Sequence, residues 1–132
     1  MYDPIAAGRR SALRAVVVQV AVVALAALAF LPMGGGSALA AAIGGGALAL
    51  GNALAARISL GGIVPARVAF ARLLLGAGVK WAVAAGILAI ALAVWRLPPL
   101  PMLAGLATGA LAYQLALNLR LHPSTRTQRK GR

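Results

Sequence analysis

The stretch LLLGAGVKWAVAAGILAIAL (residues 73–92) contains a single charged residue, Lys80, within an otherwise apolar run. A helix needs about 20 mostly apolar residues to cross the hydrocarbon core of a bilayer. The whole chain has one acidic residue, Asp3, and it lies far away in the sequence. The stretch therefore predicts a transmembrane helix, and it raises the question of where its lysine lies.

The composition of the whole chain agrees with a membrane protein. Of 132 residues, 62% are hydrophobic and 11% are charged, with 13 Lys and Arg against 1 Asp or Glu. Soluble domains have about 25% charged residues and mix both signs on their surface. A net charge of +12 is typical of nucleic-acid-binding domains, but this chain has too few polar residues to cover a soluble surface. We therefore predict a membrane protein that binds no nucleic acid.

The apolar residues form four blocks, each long enough to span the bilayer. The blocks are residues 15–31, about 37–56, 73–95 and about 100–119. Pro and Gly residues between the first and second blocks, and Pro residues between the third and fourth, favour tight turns there. We predict an all-α membrane protein with four transmembrane helices in two hairpins (residues 15–121), a basic N-terminus (1–14) and a basic tail (122–132). A signal peptide ending near Ala40 is a less favoured alternative.

Basic residues indicate the orientation of these helices. They precede the first block, separate the second from the third, and follow the fourth, whereas the opposite side has only Arg96. Loops rich in Lys and Arg stay in the cytoplasm. We therefore expect both termini and the middle loop to be cytoplasmic, with anionic lipid headgroups as partners of the basic loops.

Lys80 is expected at the cytoplasmic interface of the membrane. A lysine at the centre of a transmembrane helix costs about 2.5 to 3.5 kcal/mol, which would cancel the contribution of its apolar neighbours. Trp81 and Trp95 are typical of the aromatic belts at the two interfaces, and Lys80 can extend its ammonium group to the headgroups. A role in an assembly contact or an ion path is the alternative. Residues 63–80 form either an amphipathic interfacial segment or an ordinary charged loop.

Small residues and amides mark further candidate positions inside the spans. Small residues allow close helix packing, either inside this bundle or against a helix of another protein; the candidates are Ala41, Gly44, Gly45, Ala49, Gly51, Ala53, Gly105 and Gly109. Polar groups in lipid usually face other helices, and the candidates are Gln19, Asn52, Gln114 and Asn118.

Residues for catalysis are scarce. The only carboxylate side chain is Asp3, the only histidine is His122, and there is no cysteine. A pair of carboxylates, a catalytic triad and a thiol or carboxylate metal site all need more such groups. We therefore predict that the protein is not an enzyme and has no cofactor or metal.

Two sequence motifs resemble the bacterial ATP synthase subunit I family. They are GGGALALGNALAAR (residues 44–57), which ends in Arg57, and FARLLLGAGVK (residues 70–80), in which Gly76 lies four residues before Lys80. The resemblance implies an inner-membrane accessory protein of the F-type ATP synthase that helps the c-subunit ring to assemble, with subunit c and subunit a as partners. It also implies a second role in Mg²⁺ uptake. We expect the glycine-rich second apolar block to make the contact with subunit c.

This chain departs from the family pattern at two positions. Gly51 stands where the family often has proline, and Ala77 stands where it usually has glutamate. The missing glutamate weakens the interpretation as a cation transporter more than the interpretation as an assembly factor. Three alternatives therefore remain, in this order: an assembly factor, a small Mg²⁺ transport protein, and a holin-like pore-forming protein.

Overall fold

The computed structural model describes residues 4–119, which form four long helices and one short 3₁₀ helix. The helices are α1 (Pro4–Ala29), α2 (Gly35–Ser59), α3 (Ala66–Ala93) and α4 (Pro99–Asn118), and the 3₁₀ helix is Leu31–Met33. All four long helices are long and apolar enough to cross a membrane. The predicted all-α membrane fold with four spans is therefore confirmed. The cytoplasmic orientation of the termini stays a prediction, and the basic tail with His122 lies outside the described residues.

Two helices begin earlier than the apolar blocks do. α1 starts at Pro4 and α3 at Ala66, because Ala, Arg and Leu favour helix regardless of hydropathy. The interpretation of residues 63–80 as a charged loop is therefore wrong from Ala66 onward. With 28 residues, α3 is about 42 Å long at 1.5 Å per residue. It exceeds the hydrocarbon thickness of about 30 Å, so it tilts or extends beyond the lipid.

The two hairpin turns use residues with positive φ. Gly34, which joins the 3₁₀ helix to α2, has φ of 108°, a conformation that favours glycine. Arg96, in the turn after α3, has φ of 49°. The N–H of Leu97 donates to the carbonyl oxygen of Ala91 at 3.2 Å, which closes the end of α3 around Arg96. Glycine is the usual residue at this position of a helix end.

Helix α2 lies at the centre of the bundle. It contacts α1, α3 and α4, and α1 also contacts α4. Neighbouring helices in the chain run antiparallel, so the starts of α1 and α3 and the ends of α2 and α4 share one end of the bundle. We call this the basic end, because Arg9, Arg57 and Arg72 lie there. At the opposite end Ala40, Ala91 and Met102 form a small buried core.

Candidate functional site

Helices α2 and α4 cross at backbone contact through glycine. A Cβ atom added to Gly44 would collide with the carbonyl oxygen of Met102, and one added to Gly105 would collide with that of Ala41. A Cβ on Gly45 would come within 2.9 Å of the carbonyl oxygen of Gly105. Any side chain at these positions would push the two helices apart, so the α2–α4 crossing depends on the absence of side chains.

The two motifs that carry the family resemblance pack against each other. A Cβ on Gly51 would lie 2.8 Å from the carbonyl oxygen of Lys80, and one on Gly76 would lie 3.2 Å from that of Ala55. Residues 76 and 80 are one helical turn apart and share a face of α3, and this face meets the second half of α2. The Gly-x-x-x-Lys spacing therefore places one small residue and one lysine backbone against α2.

The residues predicted for packing with a partner helix lie mainly inside the bundle. All are buried except Ala53, which is partly exposed; the buried ones are Ala41, Gly44, Gly45, Ala49, Gly51, Gly105 and Gly109. Their neighbours in this structure are the chain's own helices. A helix of another protein can reach these buried residues only after α1, α3 or α4 moves.

An amide pair joins α1 to α2 in the interior. The Nδ2 atom of Asn52 donates a hydrogen bond of 2.9 Å to Oε1 of Gln19. Gln19 is 0% and Asn52 2% exposed, so the bond is shielded from solvent and lipid. Nε2 of Gln19 has no hydrogen-bond partner within residues 4–119, and a Cβ on Gly109 would lie 3.3 Å from it. The pair fixes the register of α1 on α2.

The other two amides do not face the bundle, contrary to expectation. Gln114 and Asn118 are both exposed on α4. They lie in the last five residues of a helix that ends at Asn118, where a polar side chain can extend toward the headgroups or water. Proximity to a helix end removes the cost that would otherwise turn these amides inward.

Lys80 contacts aromatic rings on two helices. Its Nζ atom lies 5.6 Å from the ring centroid of Trp81 and 5.9 Å from that of Tyr113 on α4. Such cation–π contacts contribute about 0.5 to 1 kcal/mol at accessible sites. Trp81 on α3 and Trp95, two residues after the end of α3, are both exposed. Arg57 is exposed in the last turn of α2. The interfacial depth of Lys80 stays a prediction.

A small-residue face on the outside of α3 was not among the sites predicted from the sequence. Its members are all exposed and lie within one side of the helix: Gly78, Ala82, Ala85, Gly86 and Ala89. We call them the α3 outer face. The buried residues Gly76, Ala84 and Ala91 lie on the opposite side, against α2. A Cβ added to Gly78 or Gly86 would meet no atom within 4 Å. The spacing Gly78, Ala82, Gly86 was the sequence signal for this face.

The described residues offer few ligands for a metal ion. Residues 4–119 contain no group of three or more His, Cys, Asp or Glu side chains that could hold an ion. The polar atoms inside the spans are amides such as the Gln19–Asn52 pair, together with hydroxyl groups. The hydroxyl of Thr108 donates to the carbonyl oxygen of Ala104 at 2.7 Å. The hydrogen bonds of Asn52 and Thr108 are both made within the bundle.

Comparison with known proteins identified a family. The family model for the ATP synthase I chain matches residues 14–107. This range includes most of α1, all of α2 and α3, and the first part of α4. Neither the curated proteins nor the solved structures contain a match.

Proposed function

Because the chain belongs to the ATP synthase I chain family, we propose that it helps the c-subunit ring of an F-type ATP synthase to assemble in the bacterial inner membrane. It is a multi-pass membrane protein associated with the ATP synthase. The observation that carries the proposal is the family match over residues 14–107, which covers more than two thirds of the chain. The match favours an ATP synthase role over that of a holin-like pore former.

The surfaces of the bundle support a role in binding other helices. Large apolar side chains cover much of the outside of α1, α3 and α4, and between residues 78 and 89 one side of α3 carries exposed Gly and Ala residues. In lipid, helices associate by close packing of such small residues rather than by a hydrophobic driving force. A protein with these surfaces can hold other membrane helices while they assemble.

We place the contact with subunit c on the α3 outer face. The resemblance implies a partner ring built from glycine-rich helices, and two helices with small residues can approach closely. The α3 outer face is open in the structure, whereas Gly44, Gly45 and Gly51 of α2 are covered by α1, α3 and α4. Contact through α3 therefore needs no rearrangement of the bundle, and contact through Gly44, Gly45 or Gly51 of α2 does.

A matched pair of double variants tests this placement. Ala82→Leu with Ala89→Leu fills the α3 outer face, and Ala21→Leu with Ala24→Leu adds the same groups to exposed positions on α1. We expect the α3 variant to lower the yield of assembled c ring severalfold in cells that depend on this protein, and the α1 variant to leave it unchanged. Equal yields with the two variants would exclude the α3 outer face.

Crosslinking distinguishes α3 from α2 as the contact. The chain has no cysteine, so single cysteines can be introduced at Ala85 on α3 and at Gly46 on α2. Gly46 is the comparison site because a Cβ there would meet no atom within 4 Å, so its cysteine leaves the bundle intact. We expect crosslinks to subunit c from position 85. Crosslinks from position 46 alone would move the contact to α2.

A further inference from the structure

A cleft opens at the basic end of the bundle, between the start of α1 and the end of α2. Its volume is about 630 Å³. Arg9 on α1 and Arg57 on α2 line it together with the apolar side chains of Ile5, Leu13 and Leu60, and the loop after α2 closes one side. We call it the arginine cleft. It combines two guanidinium groups with apolar walls.

A third guanidinium lies directly behind the cleft wall. Gly61 lines the cleft, and a Cβ on Gly61 would lie 3.2 Å from the Nη1 atom of Arg72. This Nη1 atom is buried and has no hydrogen-bond partner among the described residues. A buried guanidinium nitrogen without a hydrogen-bond acceptor destabilises the fold. An acceptor is therefore missing beside Arg72.

The described chain provides no negative charge to neutralise these arginines. Residues 4–119 contain no Asp or Glu, since the single acidic residue of the protein is Asp3. Arg9 and Arg57 are both exposed, so an anion can reach them, and the positive charge of three guanidinium groups around one cleft favours its binding. An anion from outside the chain would neutralise part of this charge and would accept charge-assisted hydrogen bonds from the two lining arginines.

We propose that the arginine cleft binds one anionic phospholipid. Its phosphate oxygens would accept charge-assisted hydrogen bonds from Arg9 and Arg57, with Arg72 adding positive charge behind Gly61. Its glycerol and upper acyl chains would pack on Ile5, Leu13 and Leu60. The apolar walls favour a lipid over a free phosphate ion, because an ion would leave them in water. Basic clefts between transmembrane helices on the cytoplasmic side commonly bind such headgroups.

Native mass spectrometry of the full-length protein, transferred from bilayers of known composition, tests the proposal. The bilayers contain phosphatidylglycerol or phosphatidylcholine with the same acyl chains. We expect the protein to retain one phosphatidylglycerol and to lose phosphatidylcholine. Equal retention of the two lipids would overturn the proposal, because the zwitterionic headgroup has no net charge for the arginines to neutralise.

Two double variants separate the cleft from the general charge of the basic end. Arg9→Gln with Arg57→Gln removes the two lining arginines, and Arg10→Gln with Arg67→Gln removes two exposed arginines outside the cleft. Both lower the net charge equally. We expect the first to weaken phosphatidylglycerol binding about tenfold or more and the second less than about twofold. Equal losses of phosphatidylglycerol binding in the two variants would show that the lipid responds only to the general surface charge, and this would overturn the proposal.

Further experiments test whether the variants still fold and whether another anion occupies the cleft. Arg9→Lys with Arg57→Lys keeps both charges, and it should restore most of the binding if the glutamine variant lost an ionic contact rather than its fold. Displacement of the lipid by inorganic phosphate would assign the cleft to a free ion and overturn the proposal. Loss of co-purified ATP synthase subunits with lipid retention unchanged would assign it to an acidic protein segment. Lipid binding that appears only in Asp3→Asn would show that Asp3 neutralises the arginine cleft in place of a lipid, and this would overturn the proposal.

Discussion

Helices α2 and α3 are similar in length and hydropathy but use glycine in opposite ways. They have 25 and 28 residues, and both contain small residues at four-residue spacing. On α2, Gly44, Gly45 and Gly51 contact the backbones of neighbouring helices. On α3, Gly78 and Gly86 face outward with open space beside them. Within an apolar 18-residue window of each helix, 56% of the residues are buried in α2 and 11% in α3.

This difference shows that a small residue in a membrane helix has no single meaning. A glycine at a crossing point brings two backbones of the same chain together, and its replacement separates them. A glycine on an outer face leaves a groove that lipid or another helix must fill. Substitutions at the two kinds of position should therefore affect different properties: the stability of the bundle on α2, and its association with partners on α3.

The largest effect is expected from Gly44→Ala, which places a methyl group against the backbone of Met102. Because backbone atoms cannot turn aside as a side chain can, the helices must separate, at a cost of about 3 kcal/mol. Gly86→Ala on α3 is the control, and we expect it to change the free energy of unfolding by less than about 1 kcal/mol. Reversible unfolding in mixed micelles measures both. Equal effects would contradict the contrast between α2 and α3.

A smaller effect is expected from the amide pair that ties α1 to α2. Asn52→Leu leaves Gln19 buried without any partner, and we expect a loss of about 1 to 2 kcal/mol in the free energy of unfolding. The double variant Gln19→Met with Asn52→Leu should lose less than the sum of the single variants, because no unpaired amide then remains. Strict additivity in the double-mutant cycle would show that the hydrogen bond contributes nothing.

Lys80→Met tests the side of α3 that faces α2. If Lys80 lies at the interface, loss of its cation–π contacts lowers the free energy of unfolding by about 0.5 to 1 kcal/mol. Removal of the charge at that depth raises it only slightly. The net change in the free energy of unfolding should therefore be below about 1 kcal/mol. Lys80→Arg, which keeps the charge and the aromatic contact, is the control. A stabilisation by about 2.5 kcal/mol or more would instead place the lysine near the bilayer centre.

The smallest effect concerns the turn that follows α3. Arg96 has φ of 49°, a conformation that glycine adopts without steric cost. We expect Arg96→Gly to stabilise the protein by about 0.5 to 1 kcal/mol, which is part of the steric cost of this conformation. Gly34→Ala at the other hairpin, where φ is 108° and ψ is 151°, should destabilise it by about 1 to 3 kcal/mol, because this conformation is accessible essentially to glycine alone. A loss of stability in Arg96→Gly would indicate that its side chain makes a contact that outweighs the strain.

Much of the fold could be predicted from the sequence because hydropathy is a local property. The four apolar blocks and the Pro and Gly residues between them sufficed to predict four helices in two hairpins. The beginnings of α1 and α3 could not be read in this way, because their first turns contain Arg and Ala residues that form helix outside the apolar blocks. The amides illustrate the same limit, since only tertiary contacts separate the buried Gln19–Asn52 pair from the exposed Gln114.

The sequence by itself determined that this is a four-helix membrane protein of the ATP synthase I chain family, since length, hydropathy and motif spacing are all read along the chain. Only the tertiary structure decided that α2 is central, that its Gly44, Gly45 and Gly51 are covered, and that the open small-residue face belongs to α3. The physical reason is that hydropathy drives each helix into lipid but does not choose its neighbours. That choice depends on the shape of side chains that meet from different helices.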